Sequence, residues 1–70
     1  MAPMSGDELR GIRKRLGLTQ AELAEELGWH PNSVARAERG EMPIAEPVAK
    51  LARLLLKVEL AARREGQGRS

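Results

Sequence analysis

Gly17, Gly28 and Gly40 each close an apolar pattern of helical period, so the first part of the chain is cut into three short helical segments. Ahead of the first segment, Ser5 and Glu8 stand three positions apart. This is a capping-box pair, in which each side chain can satisfy the other residue's free backbone N–H. Leu9, Ile12 and Leu16 follow at helical spacing, which predicts a first helix over residues 6–16. Thr19 and Glu22 repeat the box and Leu23, Ala24 and Leu27 form the next stripe, placing a second helix at 20–27. Pro31 opens a third helix, 31–39, because proline at the first helical position forfeits no hydrogen bond and already has the required φ. Val34 and Ala37 are its inward residues.

Beyond Gly40, residues 41–44 contain Pro43 and read as a connector. Pro47 then fits the first turn of a helix that meets no further breaker until Gly66. A fourth helix is expected from 45 to about 65, either continuous or broken near Leu56, giving four or five helices in all. Residues 1–5 are expected to be a flexible N-terminus and 66–70 a disordered tail, which leaves one domain over 6–65. Leu, Ala, Glu and Arg dominate, Phe and Tyr are absent, and Trp29 is the single aromatic, so the fold class is all-α. A chain of 70 residues buries a modest core, and a partner subunit would add to its stability.

Composition also removes whole classes of function. With no cysteine there are no disulfides, thiolate metal sites or cysteine nucleophiles. A single histidine, a single aspartate and no glycine-rich phosphate loop leave nothing from which to build a nucleophile–base pair or a metal cluster. No catalytic residue, metal or cofactor is therefore assigned, and an enzyme is not expected. No apolar run approaches the roughly 18 to 20 residues that span a bilayer, and residues 1–7 lack the pattern of a secretory signal, so a soluble cytoplasmic protein is expected. Net charge is +2 and the pI about 9.7, with arginine the main base, a balance compatible with nucleic acid.

Two short helices separated by Gly28-Trp29-His30 can cross so that the second projects outward, toward a major groove. The stretch Leu18-Thr-Gln-Ala-Glu-Leu-Ala-Glu-Glu-Leu-Gly28, followed by Ser33-Val-Ala-Arg-Ala-Glu-Arg-Gly40, resembles the phage-repressor and Cro-like helix-turn-helix family, the xenobiotic-response-element type. The resemblance covers about residues 7–55. In it the small Ala24 lets two helices approach, Gly28 makes the turn, Val34 plugs the space between them, and Leu23, Leu27 and Ala37 complete the core. The chain departs from the pattern at His30, where Ser or Thr is usual, at Pro31, which removes a backbone donor, and at Trp29, where an aliphatic residue is usual. The larger indole either fills the groove between the two helices or lies partly exposed.

The resemblance implies a role for each matching side chain. Asn32, Ser33 and Arg36 would read base edges from the outer face of the third helix, Asn pairing with adenine and Arg with guanine. Gln20 would hold a phosphate together with the free N–H groups at the start of the second helix. Arg39, Arg10 and Lys14 either contact the DNA backbone or remain solvated, and His30 is either a phosphate contact or a solvated turn residue. Arg13 and Glu38 would form a structural ion pair between the first helix and the end of the third.

The last helix carries more apolar surface than one core can use. Val48, Leu51, Ala52, Leu55 and Val58 make a stripe toward the core, with Leu54 on one flank, Leu56 and Leu60 on the other, and Lys50, Arg53, Lys57 and Arg64 opposite. Glu59 interrupts the stripe, so burial is expected to end there. Leu54, Leu56 and Leu60 are assigned to a homodimer interface, the alternative being a helix that breaks and folds back on its own domain. The expected function is a dimeric repressor, acting on its own or another promoter, that binds a near-palindromic operator in double-stranded DNA. The alternative is an antitoxin or adaptor acting through a protein partner. An activator is also open, because Glu22, Glu25 and Glu26 could face polymerase.

Overall fold

A computed structural model describes residues 3–67, and among them the chain forms four helices and no strand: α1 (Gly6–Leu16), α2 (Gln20–Leu27), α3 (Pro31–Glu38) and α4 (Glu46–Gln67). The fold is all-α, and each boundary has a local cause. At Ser5 the hydroxyl oxygen accepts from the Glu8 N–H at 3.0 Å. The return half of that box is absent from the bonds formed, because the Glu8 carboxylate instead pairs with Arg53 of α4, at 3.0 Å to its Nε. At Thr19 both halves close: Oγ1 accepts from the Glu22 N–H at 3.1 Å and Glu22 Oε1 accepts from the Thr19 N–H at 2.8 Å. Gly17 and Gly28 both take φ 71°, a conformation that costs a residue with a side chain roughly 1–2 kcal/mol, and end their helices there. The third helix stops one residue before its expected end, with Arg39 as its C-cap.

Leu9 and Ile12 of α1, Leu23, Ala24 and Leu27 of α2, and Val34 and Ala37 of α3 meet Ala49 and Ala52 of α4 in one core. Leu9, Leu23 and Val34 are its largest fully buried side chains, and the alanines let the helices approach closely. Two core residues come from outside the helices: Met4 and Ile44, only 5% and 8% exposed. The flexible stretch expected at residues 1–5 therefore does not include Met4, while Met1 and Ala2 lie outside the described residues. Gly66 and Gln67, expected in a tail, continue α4, and the rest of that tail lies outside the described residues. Trp29 is half-buried, with part of its surface packed against the core and part open.

α4 runs unbroken for 22 residues, about 33 Å at 1.5 Å per residue, so the break considered near Leu56 does not occur. Its core side is Val48, Ala49, Leu51, Ala52 and Leu55, but Val58, expected to continue the stripe inward, is 60% exposed. Periodicity marks a side of a helix and says nothing of how far its neighbours extend. α1 ends at Leu16, and past Leu56 its last turn is met by Arg63, whose Nη2 donates to the Arg15 carbonyl at 2.9 Å while Nε pairs with Glu59 at 3.0 Å. Leu56 is half-buried against the chain's own core, beside Gly11 and Ile12, whereas Leu54 and Leu60 are 54% and 39% exposed.

α1 begins where α3 ends, and the junction is tight. A Cβ on Gly6 would stand 2.5 Å from the carbonyl oxygens of both Ala37 and Glu38. Because the obstruction is backbone, Gly6→Ala is expected to destabilise the fold by about 1–3 kcal/mol, toward the upper end. Gly11 lies in the same helix with no atom within 4 Å of such a Cβ, and Gly11→Ala is expected to stabilise by about 0.5–1 kcal/mol. Urea midpoints of the two variants should move in opposite directions; a common shift would contradict the junction.

Candidate nucleic-acid interface

The turn between α2 and α3 sets how α3 is presented. Gly28 reverses the chain, and the Trp29 N–H donates back to the Ala24 carbonyl at 2.8 Å, closing the end of α2. His30 then caps α3: its Nδ1 accepts from the Asn32 N–H at 3.1 Å, so the neutral ring carries its proton on Nε2. Val34 is fully buried beneath α3 and Ala37 nearly so, which fixes which side faces out. Asn32 and Arg36, one turn apart, are exposed on that outer side, and Ser33 is half-exposed. The Arg36 side chain keeps 52% of its surface open.

Behind this face lies a buried carboxylate. The Glu38 side chain is fully enclosed and accepts from Arg13 Nε at 2.7 Å and Nη2 at 3.1 Å, from Gln20 Nε2 at 3.1 Å and from Arg10 Nε at 3.4 Å. Arg13 Nη1 also donates to the Leu18 carbonyl at 3.1 Å, so one guanidinium joins α1, α3 and the α1–α2 loop. Burial is the strongest single influence on Glu38 and raises its pKa. The bonds from Arg13, Gln20 and Arg10 and the charge of Arg13 outweigh it, and the net result is a carboxyl held below its ordinary value. Among the described residues no buried polar side-chain atom lacks a partner.

Glu38 thus gathers two residues that sequence reasoning assigned to phosphates. Gln20 spends one amide N–H on it and Arg10 directs its Nε toward it, leaving a second amide hydrogen on Gln20 and the two terminal nitrogens of Arg10 for other acceptors. Lys14 is exposed on α1. Arg39 is engaged by a residue the sequence reading passed over: Glu41, whose carboxylate accepts from Arg39 Nε at 2.7 Å and Nη2 at 3.2 Å and lies 4.0 Å from Arg36 Nε. The hydrogen bonds from Arg39 hold the exposed Glu41 carboxyl below its ordinary value. Gly40, at φ 77°, brings Glu41 back beside α3, where its N–H donates to the Arg36 carbonyl at 2.9 Å. Arginine at positions 36 and 39 with a glycine-glutamate pair at 40 and 41 was the available signal.

The arrangement offers an outward helix with amide, hydroxyl and guanidinium groups, beside a helix N-terminus whose free N–H groups suit an anion. Among the described residues no cluster of His, Asp or Glu could hold a metal ion, and no helix is long and apolar enough to cross a membrane. A family model described as helix-turn-helix matches residues 9–61, more than half of the chain. No curated protein and no solved structure matches it.

Proposed function

This chain belongs to the Cro/C1-type helix-turn-helix family and is a DNA-binding transcription regulator, and from that premise we propose that it is a dimeric repressor that occupies a near-palindromic operator. The observation that carries the reading is the exposed face of α3, where Asn32, Ser33 and Arg36 offer base-reading chemistry on a helix held rigidly by buried Val34 and Ala37. In this reading α3 enters the major groove and two copies lie about 34–36 Å apart. Gln20, His30, Arg39, Arg10 and Lys14 contribute phosphate contacts, and affinity falls with salt by a slope of about −0.9 per phosphate neutralised. Arg39 gives up Glu41 to do so. The exposed Leu54, Val58 and Leu60 on α4 support a subunit interface. They equally suit a foreign protein, the antitoxin or adaptor reading, which recovery of a stoichiometric partner in place of specific DNA would favour.

Selection from a random duplex pool tests the proposal. The wild-type protein is expected to recover an inverted repeat, and Arg36→Ala to relax preference at one base pair in each half-site, with about 1–3 kcal/mol of discrimination lost there. Recovery of unrelated sequences by both proteins would overturn it.

A further inference from the structure

Which surface joins the two copies follows from how charge is distributed about α4. Leu54 and Val58 are exposed and lie about 40° apart at 100° per residue. On one edge of this apolar strip stand Lys50 and Lys57, both exposed. On the other, Leu55 and Val58 border a shallow groove shared with Leu16, Leu18 and Glu26. Leu18 and Glu26 also line the adjoining hollow with Glu22 and Glu25. Across α4 the surface therefore runs from acidic through apolar to basic.

Four acids of this protein, Glu8, Glu38, Glu41 and Glu59, pair with an arginine of their own chain. Among the described residues Glu25, Glu26, Lys50 and Lys57 form no ion pair within 4.0 Å. A two-fold axis running along α4 through the strip would turn its basic edge onto the acidic edge of an identical copy, so the surface is complementary to itself.

We propose that a second copy of this chain docks here, its α4 parallel to the first and packed along Leu54 and Val58, with each Glu25–Glu26 edge facing Lys50 and Lys57 of the partner subunit. The contact leaves Leu56 on its own core and Leu60 outside the centre. It rests on the dimeric reading above and names the surface that reading requires.

Sedimentation equilibrium of the full chain tests it with two charge-reversed variants, Lys50→Glu/Lys57→Glu and Glu25→Lys/Glu26→Lys. Each alone is expected to self-associate at least about tenfold more weakly than wild type, through like charges brought together. An equimolar mixture is expected to associate to within about threefold of wild type, because the altered edges of the two variants are complementary. Unchanged helical circular dichroism would show that all are folded. If both variants dimerise like wild type, or if the mixture stays dissociated, the surface is wrong while the dimeric reading stands. If wild type is monomeric both alone and on its selected DNA, the dimeric reading fails and this surface with it.

Discussion

Arg13→Ala is expected to lower the unfolding free energy by about 3–5 kcal/mol, because it leaves the Glu38 carboxylate enclosed without its main partner. At roughly 0.05–0.15 kcal/mol per residue, a 70-residue domain has about 4–10 kcal/mol in total, so the variant should be marginal or largely unfolded in water. Urea denaturation followed by helical circular dichroism measures this directly. The same carboxylate gives a dependence on acid. Its pKa is lower in the fold than its ordinary 4.5, so its stabilisation is complete above that value and is lost as pH falls below it and through the lower folded value. Glu38→Gln should flatten that part of the profile. A cost under about 1 kcal/mol for Arg13→Ala would mean that the pair orders nothing.

Leu23→Ala is expected to cost about 2–5 kcal/mol, the range for a large aliphatic side chain removed from a close-packed interior. Leu23 is fully buried in the middle of α2, where it shares a core with Val34, so the cavity would open beneath the helix that carries the recognition face. A drop in urea midpoint with an unchanged slope is the expected signature, together with DNA binding that falls in proportion to the folded fraction. Leu54→Ala, at an exposed position of similar chemistry, should leave the stability of the monomer nearly untouched.

The limits of α1 and α2 were legible to the residue, because capping side chains at Ser5 and Thr19 and left-handed glycines at 17 and 28 are local signals that tertiary packing did not override. The buried stripes of the first three helices were legible for the same reason: a period of 3.6 identifies a face. What escaped depends on distance in space. Met4 and Ile44 enter the core from outside the helices and carry no periodic mark. Gly6 looked like any first-turn residue until the carbonyls of Ala37 and Glu38 came within reach. Val58 has the spacing of a core residue, but no neighbouring helix covers its side of α4. Glu8 was expected to complete a cap and found Arg53 of α4 instead, and Gln20 turned its amide onto Glu38 from 18 positions away in sequence. At the recognition face, the residue types on α3 were legible, while the hold of Glu41 on Arg39 required the turn at Gly40.

In the proposed function α3, backed by the start of α2, is the surface that meets DNA. Titration of the isotopically labelled protein with its selected duplex, followed by amide and side-chain NMR shifts, tests it most directly. The largest changes are expected on Gln20, Asn32, Ser33, Arg36 and Arg39. Shifts confined to α4, with α3 unmoved, would contradict it.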